Sequence, residues 1–100
     1  MESFRLTVED LKKSPMSSLA RVALEGTNNI IVNHASDMVY YVESGSGVMM
    51  AGNRLHYISR GDSVTILKGT PYQDQSDGDE PLVMLVYASP QFDPDSVEII

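Results

Sequence analysis

The sequence predicts an all-β protein, an antiparallel jelly-roll-like barrel of short strands, and three observations carry that expectation. From Leu19 onward the apolar residues recur with period two, Ala20, Val22 and Leu24 alternating with Arg21, Ala23 and Glu25, the pattern of a half-buried strand. Turn signals recur at close spacing: Gly26-Thr27-Asn28-Asn29, Ser44-Gly45-Ser46-Gly47, Gly52-Asn53, Arg60-Gly61-Asp62, Lys68-Gly69-Thr70-Pro71 and Asp77-Gly78. Glycine supplies positive φ in such turns, and Asn and Asp bond their own backbone there. The longest apolar run, Leu82–Ala88, is of strand length. Many short strands with regular turns indicate a sandwich or barrel, and closing the sheet removes exposed edges.

The elements follow in order. Over residues 8–13 the sequence predicts a short helix. Thr7 is its N-cap, with Asp10 three residues on, and Leu6 and Leu11 stand at the positions of a hydrophobic staple. Glu9 and Asp10 would face the positive end of its dipole and Lys12 and Lys13 the negative end, with Ser14-Pro15 as the stop. The period-two strand from Leu19 comes next, then Ile30–His34 and an Ala35-Ser36-Asp37 turn. Met38, Tyr40 and Val42 form one face of the following strand and Val39, Tyr41 and Glu43 the other. Both faces are fairly apolar, so this strand should be covered on each side, as in a sandwich or a dimer. Val48–Ala51 and Arg54–Ile58 flank Gly52-Asn53 as a hairpin. Strands over Ser63–Leu67, Tyr72–Ser76 and Leu82–Ser89 complete the core, and the tail Pro90–Ile100 carries Phe92 as an anchor.

One hundred residues make a single domain, 1–100, that buries roughly two-thirds of its unfolded surface. The absence of cysteine excludes disulfides and thiolate metal sites. Fourteen acidic against seven basic residues, a net charge of -7, argue against nucleic acid as a partner. No signal peptide or membrane-spanning run is visible, so the expectation is a cytoplasmic protein with no membrane partner.

Val42-Glu43-Ser44-Gly45-Ser46-Gly47, then Gly52, then Gly61-Asp62-Ser63-Val64-Thr65-Ile66, then Gly69-Thr70-Pro71 resemble the cupin pattern in order and spacing, over residues 28–92. The resemblance implies a small conserved barrel and, by family habit, a homodimer. The first cupin motif is H-x-H, three or four residues, E, six residues, G. Counting back from Gly45 puts Met38 at the glutamate, His34 at the second histidine and Val32 at the first. The second motif is G, five residues, P-x-G, two residues, H, three residues, N. From Gly61 it places Leu67 at the proline, Gly69 at the glycine, Tyr72 at the histidine and Ser76 at the asparagine. Of the four metal ligands the family implies, His34 alone is kept. A divalent ion wants three or four donors, and ionising a phenol such as Tyr72 near neutral pH costs about 4 kcal/mol. The expectation is therefore no metal and no cofactor.

Strand parity directs His34, Met38, Tyr40, Tyr72 and Asp74 toward one interior. Two tyrosines, a pliant thioether and a few polar groups are the make-up of a small-molecule site. The first expectation is a metal-free binder of a small polar or sugar-like metabolite. The alternative is a metal-independent isomerase, epimerase or lyase with His34 as base and Tyr72 or Asp74 assisting. A metal-dependent isomerase or dioxygenase ranks third. His56 falls outside both motifs, and Arg21 and Arg54 would bind an anionic substrate only if turned inward, exposed strand arginines being commoner. The apolar face with Val39 and Tyr41, and the run Val97–Ile100, need covering by the N-terminal helix or by a second copy, and the family habit favours the twofold dimer.

Overall fold

The computed structural model describes residues 4–100. Ten strands run in order: β1 Arg5–Ser14, β2 Ser17–Glu25, β3 Ile31–Asn33, β4 Asp37–Ser44, β5 Ser46–Ala51, β6 Arg54–Ser59, β7 Ser63–Ile66, β8 Tyr72–Ser76, β9 Leu82–Ser89 and β10 Val97–Ile99. They form two five-stranded sheets of order β1-β2-β9-β4-β7 and β10-β3-β8-β5-β6, and every strand pairing is antiparallel. Successive strands from β2 on largely alternate between the sheets, which is the jelly-roll arrangement expected. Among the described residues, no helix is long and apolar enough to cross a membrane.

The helix expected over residues 8–13 is absent, and this stretch is the second half of β1. Leu6 lies opposite Leu24, Val8 opposite Val22 and Glu9 opposite Arg21, with a Glu9 carboxylate oxygen 3.1 Å from Arg21 Nη1. A six-residue helix would gain too few internal bonds to offset its nucleation cost. Pairing with β2 instead hydrogen-bonds one backbone edge along the strand, and the Leu6/Val8 alternation suits that pairing. Only the part of the chain that sits beside Thr7–Lys13 decides between the two readings.

Registers align the inner face of the first sheet in four rows. Leu24 faces Leu82; Val22, Met84 and Val42 follow; then Ala20, Val86, Tyr40 and Val64; then Ser18, Ala88, Met38 and Ile66. Tyr72, Asp74 and Ser76 on β8 and Gly47, Met49 and Ala51 on β5 present the facing wall. Leu24, Leu82, Met84 and Met49 are fully buried there. Gly47 is required at this end: a Cβ on it would lie 2.1 Å from the Gln75 carbonyl oxygen. At Gly45, φ is +80° and a Cβ would meet the Pro81 carbonyl at 2.3 Å, so the reversal into β5 admits no side chain.

Candidate functional site

The rows change in size along the barrel. Leu24, Leu82 and Met84 fill one end, whereas Ser18, Ala20 and Ala88 stand at corresponding places toward the other. Small side chains on adjacent strands leave space, and a cavity of about 260 Å³ opens there. Met38, Tyr40, Val86 and Ala88 line it from β4 and β9, and Ser18, Ala20 and Val22 from β2. Its mouth is framed by Val8, Asp10 and Lys13 of β1 and by Phe92 and Pro94 of the tail. The tail is tied down by hydrogen bonds: the Phe92 N–H donates to Ser18 Oγ at 3.0 Å, and Asp93 caps the short turn Pro94–Ser96.

Tyr40 connects this cavity to a buried polar cluster. Its hydroxyl donates to that of Tyr72 at 3.1 Å, and the two rings lie 5.8 Å apart at 58°, a tilted aromatic pair. Burial pushes the Tyr40 hydroxyl well above its ordinary value, with nearby Tyr72 and Asp74 adding to the effect. Burial likewise raises Tyr72 and Asp74, the latter against the opposing pull of Asn28. Asn28 Nδ2 donates to Asp74 Oδ1 at 3.1 Å, and the Asn28 N–H donates to the Asp74 carbonyl at 3.0 Å. Two phenols and a carboxyl with a raised pKa form a buried set that gives and takes hydrogen bonds.

Four of the five expected site residues come together: Met38 and Tyr40 on the cavity wall, with Tyr72 and Asp74 buried behind Tyr40. His34 does not join them. Its side chain is 54% exposed, and Nε2 lies 2.9 Å from a Glu98 carboxylate oxygen. The inward face of β3 belongs to Ile31, opposite Tyr72, and to Asn33, whose Nδ2 lies 3.6 Å from the Met38 sulfur. Alternation therefore puts Val32 and His34 on the face opposite Ile31 and Asn33, where Val32 is buried and His34 exposed, and an Asp74-oriented His34 is excluded by position. Asn33 Oδ1 also accepts from the Ala35 and Ser36 N–H groups, so this turn is built on Asn33. Arg21 lies outside, with Nε donating to Glu43 at 2.6 Å, which lowers the Glu43 pKa and raises that of Arg21.

Asp10, Lys13, Ser18, Phe92 and Pro94 were not expected at the site. The first two fall in the supposed helix. The Leu6/Val8 alternation places Asp10 next on the same strand face, whereas Lys13 reaches it only through the register shift with β2. Metal-binding in the usual barrel manner finds no donor set: among the described residues, no three His, Cys, Asp or Glu side chains group to hold an ion.

This two-sheet architecture recurs in known proteins. Across 97% of this chain and 78% of the other, it superposes on a Streptomyces PAC13 variant with uridine, TM-score 0.82 and 22% identity. The same comparison with an RmlC-like cupin protein of Desulfovibrio desulfuricans gives 0.74 and 17% identity, over 88% and 85% of the two chains. With the cupin domain of Schizosaccharomyces pombe Cnp3 it gives 0.78 and 12%, over 89% and 69%. The fold is the cupin fold. No protein-family model matches the chain. An uncharacterised protein of Methanocaldococcus jannaschii is 27% identical over 93 residues, covering 91% of this chain and 74% of that protein. In this chain the cavity lies on the inner face of the β1-β2-β9-β4-β7 sheet, beside the tail residues Phe92 and Pro94, at the end where the inner side chains of β2 and β9 are smallest.

Proposed function

We propose that this cupin binds a small polar or sugar-like metabolite, of nucleoside size, in the cavity beside Tyr40, and does so without a metal. The observation that carries the reading is the cavity itself, about 260 Å³, just below the usual range of about 300–1,000 Å³ for small-molecule sites. Apolar walls of Met38, Val86 and Ala88 suit a flat or ring-shaped body, and the Tyr40 hydroxyl and the charged mouth give it polar anchors. PAC13, described as a nucleoside dehydratase, has been solved with uridine in the same fold, which supports a ligand of that class. The lack of any three-donor grouping among the described residues supports metal independence.

Isothermal titration with uridine, ribose and small organic acids tests the reading. A ligand should bind the native chain, lose about tenfold in affinity with Tyr40→Phe through one missing hydrogen bond, and be excluded by Ala20→Leu. No binding by any of these compounds, or stoichiometric metal in the purified protein, would overturn it. A second reading, a metal-independent lyase or isomerase, is favoured by the Tyr40–Tyr72 hydroxyl pair, of which Tyr40 lines the cavity. Turnover of a bound ligand, followed by NMR, separates the two.

The outer face of the β1-β2-β9-β4-β7 sheet carries Val39 opposite Tyr87 and Tyr41 opposite Leu85. Val39, Tyr41 and Tyr87 are each at least 36% exposed. We assign this face to a second copy of the chain. Light scattering coupled to gel filtration should show a dimer, and a monomer at high micromolar concentration would remove the assignment.

A further inference from the structure

Residues three apart in a regular strand face opposite sides of the sheet. Asp10 and Lys13 of β1 do not. The register with β2 shifts between Asp10 and Lys12, leaving Leu11 as an extra residue, a β-bulge. Before the shift Asp10 lies opposite Ala20, and after it Lys13 lies opposite Ser18. Both partners are cavity residues, and so are Asp10 and Lys13 themselves. In an unbroken strand Lys12 would take the inward place. The bulge thus selects one of two adjacent lysines for the mouth, and Lys12 instead lines a shallow surface hollow with Leu19 and Tyr87. Lys13 Nζ then sits 3.2 Å from Asp10 Oδ2, with both side chains more than half exposed.

We propose that this bulge-built pair selects uncharged ligands carrying neighbouring donor and acceptor groups, such as the vicinal hydroxyls of a sugar or nucleoside, and rejects their phosphate esters. The proposal rests on the reading of the cavity as a nucleoside- or sugar-sized site. A lone lysine at an apolar mouth would capture anions. Here its charge is already met by Asp10, and no other cation lines the cavity among the described residues. Asp93 and Asp95 flank Pro94 at the rim, and the chain carries a net -7. A dianionic phosphate reaching Lys13 must sit against the Asp10 carboxylate in an acidic surrounding field. A hydroxyl pair meets no such penalty, since one O–H donates to Asp10 while a neighbouring oxygen accepts from Lys13.

The test is calorimetric titration of uridine and ribose against uridine 5′-monophosphate and ribose 5-phosphate. It is run on the native chain and on Asp10→Asn, Lys13→Gln and Lys12→Gln, with thermal melting confirming that each variant folds. The native chain should bind the uncharged members at least about tenfold more tightly than their phosphate esters, and added salt should narrow that gap. Asp10→Asn should close most of it by strengthening phosphate-ester binding. Lys13→Gln should weaken both classes, and Lys12→Gln neither. Phosphate esters binding the native chain as tightly as the uncharged compounds, or a gap that survives Asp10→Asn, would overturn the proposal and leave the cavity reading standing. No binding by any of the four compounds, or binding that survives Ala20→Leu, removes both.

Discussion

The two ends of this barrel are built from the same strands and differ in what those strands send inward. At one end Leu24, Leu82, Met84 and Met49 are fully buried, and β5 passes so close to β8 that only Gly47 fits. At the other, the same β2 and β9 contribute Ser18, Ala20 and Ala88, and a cavity remains. The β2–β9 pairing continues unchanged from one end to the other, so along these two strands side-chain volume separates a packed core from a pocket. A cavity lining forgoes dispersion contacts, and the closed end supplies the stability against which the open end is left unfilled.

Substitutions at the closed end should be the most damaging. Gly47→Ala puts a Cβ 2.1 Å from the Gln75 carbonyl, forcing β5 and β8 apart, and is expected to destabilise by about 3 kcal/mol or more in denaturant titration. Leu82→Ala, at a fully buried position, removes contacts without collapse and should cost about 2–5 kcal/mol. At the open end the sign of the volume effect changes. Ala20→Leu fills existing space and should cost less than about 1 kcal/mol, while abolishing ligand binding. A comparable loss of stability from Ala20→Leu and Leu82→Ala would erase the distinction between the two ends.

Asp74 lies between these extremes, buried within the barrel yet polar. Its carboxyl pKa is raised by burial, so the folded chain holds that proton at pH values where the unfolded chain has released it. The stabilising contribution is complete below the ordinary carboxylate pKa of 3.8 and is lost as pH rises through the folded value. Asp74→Asn keeps an oxygen to accept from Asn28 and carries no charge. It should therefore stabilise the protein more at about pH 7 than at about pH 4, and melting curves at both values measure the difference. A gain larger at the acidic value would contradict the sign.

Much of this contrast was legible before the structure. The period-two run into Leu24 and the strand Leu82–Ser89 both appear as expected, because their alternation is local and strong. The turn glycines Gly45, Gly52, Gly61, Gly69 and Gly78 all take positive φ, the conformation for which glycine is suited. What was not legible depends on partners distant in sequence. Thr7–Lys13 satisfies helix-capping rules and strand alternation alike, and β2 decides. The bulge at Leu11 exists only relative to β2, since an extra residue has no meaning until a register is counted. Strand parity set Met38, Tyr40, Tyr72 and Asp74 inward, as the structure has them, each inside a strand of at least five residues. Parity misplaced His34, whose side chain is exposed and which follows a strand of three, where parity has little length over which to be fixed.

His34 provides the smallest expected effect and the sharpest check on where the functional end lies. Its imidazole contacts Glu98 on the exposed surface, 2.9 Å away, where Glu98 sits opposite Val32 on β10. Exposed pairs of this kind contribute little to stability, and neither partner lines the cavity. His34→Ala should leave both the melting temperature and the affinity for any cavity ligand unchanged, whereas Tyr40→Phe lowers that affinity. The two variants differ only in which side of the barrel wall they alter. A ligand lost with His34→Ala and retained with Tyr40→Phe would move recognition to the outer surface of β3 and β10, and the open end would be a packing defect with no ligand to explain it.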